Sequence, residues 1–128
     1  MNPNNKEHFV RNLMEKMFGL PLKKHKLVIG YDSKRKPQIH EFDLVSDDAS
    51  IVGEIKSGEK SRSNYERTLN DCLFLDKVKA QKKLLVLTNK EFYEYFRAKS
   101  DGLISKNIQV MLIQPEDFTK EIVQTNVH

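Results

Sequence analysis

One cysteine in the whole chain, Cys72, excludes an intrachain disulfide and leaves no way to assemble a thiolate zinc site within one molecule. It is expected to pack as a small apolar residue. The four histidines, His8, His25, His40 and His128, lack the i, i+4 spacing of a helical zinc pair. A histidine metal centre is therefore not expected, and any metal would be held by oxygen. No apolar run approaches the ~18 to 20 residues needed to cross a bilayer, and the polar opening MNPNNKEH lacks the charged-then-apolar layout of a secretory signal. A cytoplasmic protein with no membrane partner is the expectation. Internal repeats, low-complexity tracts and Pro/Gly/Ser linkers are also missing. Residues 1–128 are thus expected to form one domain, with a loose tail after Val123.

What is present is the balance of a globular chain: 38% hydrophobic and 31% charged residues, with a formal charge of +4. The basic excess is local. Between Pro21 and Pro37 lie Lys23, Lys24, Lys26, Lys34, Arg35 and Lys36 against a single acid, Asp32. Such a bias favours phosphate contacts, while the plainer reading is a solvated hairpin edge kept from aggregating by its lysines.

The order of elements follows from hydrophobic period. From Asn5 to Phe18, Val10, Leu13, Met14 and Met17 recur at helical spacing, and Gly19 and Pro21 stop the helix. In a purely structural account of the first turn, Asn4 is the cap. Three strands follow, Lys26 to Tyr31, Gln38 to Val45 and Ile51 to Lys56, separated by the turn stretches DSKRKP and SDDAS. A second helix is expected from the capping box Ser63-Asn64-Tyr65-Glu66 to about Ala80. LLVLT, Leu84 to Thr88, reads as a buried strand, and Thr88-Asn89-Lys90-Glu91 as the start of a third helix to about Ala98. A last strand, Ile108 to Ile113, precedes a short helix opened by Pro115. The sum is an antiparallel meander joined to βαβ units: a mixed α/β sheet with helices on both faces.

Within HEFDLVSDDASIVGEIKSG, three charged residues interrupt otherwise buried strands. Side chains alternate along a strand, so Glu54 and Lys56 share one face, roughly 7 Å apart. Pairing of the two strands through the SDDAS turn is expected to bring the Asp43 carboxylate towards that of Glu54. Two converging carboxylates are tolerable around a divalent cation, and hard oxygen donors suit Mg²⁺ or Mn²⁺. Lys56 beside them supplies the positive charge that phosphodiester hydrolysis needs near its water and its phosphate. Asp47 and Asp48, in the turn, are expected to be solvated.

The pattern D-x10-E-x-K of Asp43, Glu54 and Lys56, on consecutive strands after a first helix, resembles the PD-(D/E)xK nuclease superfamily, with its restriction-endonuclease-like αβββαβ core. HEFDLV…IVGEIKS is similar to a small nuclease-like branch with "EFD" and "EvK" strands. Phe42 stands where the motif has proline. The resemblance covers roughly Lys6 to Gln114. It implies that Asp43, Glu54 and the Ile55 carbonyl bind the metal and that Lys56 assists the attacking water. Many members also carry a metal-reaching glutamate on the first helix. Here Glu7 extends the apolar stripe of Val10 and Met14, whereas Glu15 sits about 140° from Val10. A merely structural Glu7, stabilising the first turn, is the competing account.

The resulting expectation is a Mg²⁺- or Mn²⁺-dependent nuclease, with DNA ahead of RNA as substrate, and with Lys34, Arg35, Lys36, Lys60 and Arg62 contacting phosphates. Gln81 is a further polar candidate near the end of the second helix. Phe92, Tyr93, Tyr95 and Phe96 have the spacing of core residues, with base stacking as the alternative. Little of the chain is left for a separate recognition domain, so duplex cleavage would call for a homodimer or larger complex. The rival classes are an inactive nucleic-acid-binding or regulatory module of the same fold, and an interaction subunit of a defence or repair complex.

Overall fold

A computed structural model describes residues 2–118. Its elements are α1 (Pro3–Phe18), β1 (Leu22–Tyr31), β2 (Pro37–Ser46), β3 (Ile51–Lys56), α2 (Arg62–Lys77), β4 (Lys82–Leu87), α3 (Lys90–Ser100) and β5 (Ile108–Leu112). Residues 115–118 are helical, as Pro115 signals. The expected tail after Val123 lies outside the described residues.

Side-chain caps place the helix starts, and two differ from expectation. Asn2, not Asn4, caps α1 by accepting from the Asn5 amide at 2.9 Å. The helix therefore takes in Pro3, whose missing N–H costs nothing in the first turn. Ser61, not Ser63, caps α2, accepting from the Asn64 amide at 3.0 Å. For α3 the cap is Asn89, which accepts from the Phe92 amide at 2.8 Å. At the other end of α1, Gly19 takes a left-handed φ of 69° and closes on the Glu15 carbonyl. The Glu15 carboxylate accepts from the Leu22 amide at 2.9 Å, tying the helix to the start of β1.

The strands form one mixed sheet of order β1-β2-β3-β4-β5. β1 to β3 are antiparallel neighbours, while β3, β4 and β5 run parallel, with α2 and α3 as the crossovers. Alternation along β4 divides the core: Leu84 and Val86 meet Val10 and Met14 of α1, whereas Leu85 and Leu87 meet Cys72 and Leu75 of α2 and Phe92 and Phe96 of α3. The aromatic spacing in α3 is thus a core signal. Cys72 is buried as expected, and burial pushes its thiol up to about 12. No helix among the described residues is long and apolar enough to cross a membrane.

One irregularity governs the site. Lys23 pairs with Val45 and His25 with Phe42, so two steps along β1 match three along β2. The extra residue, at Asp43–Leu44, is a bulge. Its effect on the faces is visible in the core: Phe42 and Val45 lie with α2, and Leu44 lies with α1. Recorded pairing of β2 to β3 is confined to Leu44 with Gly53 and Val45 with Val52.

Gly53 is needed for close approach. A Cβ there would stand 2.9 Å from the Leu84 carbonyl oxygen and 3.2 Å from Leu44 Cδ1. Gly53→Ala is expected to push β3 from β4 and cost about 2 kcal/mol in a urea melt. A melt unchanged from wild type would show that the strands yield freely there.

Candidate metal centre

β3 displays its charges as strand alternation requires. Glu54 and Lys56 face α2, and Ile55 faces α1. The Lys56 carbonyl accepts from the Thr88 amide at 3.1 Å, which fixes the end of the strand against the chain leaving β4. Glu54 is 4% exposed, and its Oε1 lies 3.3 Å from His40 Nε2. The His40 ring is held between Phe42 and Phe74, with centroids 4.6 and 4.4 Å away. Lys56 forms an ion pair with Asp71 of α2, a carboxylate 7% exposed.

Asp43 lies in a different group. Its Oδ2 accepts from the Ile55 amide at 2.9 Å, and its Oδ1 is 3.9 Å from Lys24 Nζ. Glu7 of α1 accepts from Lys24 at 3.1 Å and from Arg11 at 3.0 Å. Arg11 also donates through Nε and Nη2, at 3.2 and 3.1 Å, to the Asp43 carbonyl. A bulge leaves backbone groups outside the regular ladder, and the guanidinium satisfies this one.

The expected convergence of Asp43 and Glu54 on one face of the sheet is therefore not met in its simple form. The bulge turns the Asp43 carboxylate to the α1 side, while Glu54 stays on the α2 side. The two groups meet edge to edge through β3: Asp43 holds the amide of the residue next to Glu54, and Glu7 stands beside Asp43.

Electrostatics bind the halves together. Burial raises the Glu54 carboxyl to about 9, and the charges of Asp43 and Asp71 push in the same direction. Burial likewise raises Asp43 to about 6; the Ile55 amide opposes this, and a carboxyl–carboxylate hydrogen bond with Glu7 adds to it. Burial acts against ionisation of Glu7 too, but the hydrogen bonds from Asp43 and Lys24 outweigh it and hold Glu7 below its ordinary value. The two carboxyls are thus pushed apart, Asp43 upward and Glu7 downward. Desolvation lowers His40 and favours the neutral imidazole.

The basic candidates are spread out. Lys34, Arg35 and Lys36 form the tip of the β1–β2 hairpin, where Asp32 Oδ1 accepts from the amides of Lys34 and Lys36 at 2.8 and 2.9 Å and Arg35 takes a φ of 61°. Lys36 precedes Asp43 by seven residues, a reach of up to roughly 23 Å along extended chain. Lys60, just beyond β3, lies 3.9 Å from Glu91 and over the Tyr95 ring, and Arg62 pairs with Glu66 at 3.1 Å. Gln81 is exposed next to Lys82, which pairs with Ile51 at the opposite end of β3 from Lys56, so it is not part of the site.

Four members of the centre escaped the sequence reading: Arg11, Lys24, His40 and Asp71. Asp71 had a signal, since it falls between Thr68, Cys72 and Leu75 on the buried stripe of α2. A carboxylate in a helix's apolar stripe asks for a partner. Arg11 follows Glu7 by one helical turn, but nothing local shows that it also reaches a strand.

Compared with known proteins, the chain matches no family model, no curated protein and no solved structure.

Proposed function

We propose that the protein is a divalent-metal-dependent phosphodiester hydrolase acting on nucleic acid, with DNA as the first substrate to test, built on a restriction-endonuclease-like core. The observation that carries this reading is the meeting of Asp43, which accepts from the Ile55 amide at 2.9 Å, with Glu7, the two bridged by Lys24 at 3.9 and 3.1 Å, against β3, the strand that presents Glu54 and Lys56. Two carboxyl groups crowded together mark a place where a bound cation lowers the energy of both.

Mg²⁺ or Mn²⁺ would be held by Asp43, Glu7 and the Ile55 carbonyl, with Glu54 on the far side of the strand. All of these are oxygen donors and fit a hard cation. When bound, the metal supplies Lewis acidity at the scissile phosphate and an acidified water. Lys56 carries the ammonium that orients that water and offsets charge developing on the phosphate. Arg11 and Lys24 position the acidic pair, and Lys60, in the loop beyond β3, and Arg62, at the start of α2, are candidate phosphate contacts. The hairpin tip of Lys34, Arg35 and Lys36 would act at the periphery.

The test is cleavage of single-stranded, nicked and supercoiled DNA in Mg²⁺ or Mn²⁺, beside Asp43→Ala and Lys56→Ala variants. Loss of about 10²-fold or more is expected in each. Cleavage surviving in both would falsify the assignment. The division of Asp43 and Glu54 between two faces favours a second reading, a nucleic-acid-binding module without turnover. That module would retard DNA with a steep salt dependence and no metal requirement.

The raised Asp43 carboxyl has its own consequence: metal binding must displace its proton, so affinity should fall as pH drops through about 6. Mn²⁺ titrations at about pH 5 and pH 7.5 are expected to differ by ~10-fold, weaker in acid. Equal affinities would mean the ion is held elsewhere.

A further inference from the structure

On the α2 side of β3, His40, Glu54 and Asp71 each offer a ligand atom, and the three atoms lie within 4.8 Å of one another. Each comes from a different element: β2 before the bulge, β3, and the buried stripe of α2. The Asp43 and Glu7 carboxyls belong to the opposite side. We infer that His40, Glu54 and Asp71 form a second divalent-cation site, distinct from the Asp43 group, and that Lys56 stands in for the cation when that site is empty.

The geometry is close to what an ion demands. With donor distances near 2.0 to 2.2 Å, two ligands of one cation lie at most ~4.3 Å apart, so side-chain movements of about half an ångström complete the set. His40 cannot swing freely, because Phe42 and Phe74 hold its ring with Nε2 turned towards Glu54. Three protein ligands leave coordination positions open for water or for a substrate oxygen.

A second observation points to positive charge at this place. Lys56, the next inward-facing residue of β3 after Glu54, extends its ammonium to Asp71. The cluster is already occupied by a cation from the chain itself. Entry of a metal would turn Asp71 from Lys56 to the ion and release the amine towards solvent.

Ligand chemistry selects the metal. An imidazole nitrogen beside two carboxylates suits Co²⁺ or Zn²⁺ and disfavours Mg²⁺ and Ca²⁺, which take oxygen. The Asp43 group, all oxygen, has the opposite preference. The chain would then discriminate between two classes of cation on the two faces of one strand.

The experiment is a Co²⁺ titration of the full chain followed by visible absorption, in wild type and in His40→Gln, Asp71→Asn, Lys56→Met and Asp43→Asn. Affinity should fall at least ~10-fold in the first two. It should rise in Lys56→Met, which lacks the internal competitor, and persist in Asp43→Asn. Circular dichroism checks that each variant is folded. A measurement on the unaltered protein stands beside these: Zn²⁺ should move the His40 imidazole nitrogen resonance from its metal-free position. An unmoved resonance, or Co²⁺ binding that ignores His40 and Asp71 while vanishing with Asp43, would overturn the inference. The outcome is separable from that for nuclease activity: a protein that binds Co²⁺ through His40 but cuts no DNA keeps this site and loses the hydrolase, and the converse result does the reverse.

Discussion

Glu54→Gln is expected to make the metal-free protein more stable by about 2 kcal/mol near pH 7, while removing its response to Co²⁺. The acid sits 4% exposed, with its carboxyl raised to about 9 from an ordinary 4.5 by burial, reinforced by Asp43 and Asp71. The folded state then keeps a proton that the unfolded chain releases. Stability is therefore lost progressively as pH climbs from about 4.5 towards 9. Glutamine does not titrate and retains groups that can meet His40. Its advantage should be absent at about pH 4, grow through neutrality, and be largest in mild alkali. A gain of this size corresponds to a rise of roughly 6 °C in Tm for a chain of this length. Co²⁺ at about a hundred times its dissociation constant would stabilise the wild type by ~2.7 kcal/mol and leave the variant nearly unmoved. Calorimetric melts in chelator and in Co²⁺ check both halves. A variant less stable than wild type in chelator at pH 7 would show that Glu54 is held there as a paired carboxylate.

The tension between stability and charge explains which features were legible in the sequence. Element order and the mixed sheet could be read because helices and strands keep periods of 3.6 and 2, and the runs around Val10, Leu84 and Ile108 keep theirs cleanly. Strand alternation put Glu54 and Lys56 on one face, and helical angle put Glu7 towards Asp43 and Glu15 away from it. What stayed hidden depends on one extra residue. HEFDLV looks like plain alternation up to Leu44, and only the adjacent apolar pair Leu44-Val45, both buried, hints that the period slips. The slip puts Phe42 and Leu44, two residues apart, on opposite faces and carries Asp43 to the α1 side. Registers of this kind are set by tertiary pairing and leave no local composition signal. His40 was set aside for want of a helical partner, yet its neighbours come from a second strand and a helix thirty-one residues on.

Lys56→Met should fail in two separable ways. The ammonium pairs with Asp71, a carboxylate 7% exposed, so its removal strands a buried charge. With Lys56 itself 29% exposed, the pair is screened more than an interior one, and a loss of about 1 to 2 kcal/mol is expected. Adding Asp71→Asn removes the stranded charge, and the double variant should recover most of that stability. Cleavage should behave otherwise. If Lys56 orients water and offsets charge on the phosphate, the single variant loses about 10³-fold in rate, and the double variant, however stable, stays equally slow. Urea melts and cleavage rates on the same four proteins complete the cycle. Recovery of cleavage together with stability in the double variant would reduce Lys56 to a structural counter-ion of α2. Continued inactivity in a protein restored to wild-type stability separates a lysine that acts on substrate from one that merely holds the helix to the sheet.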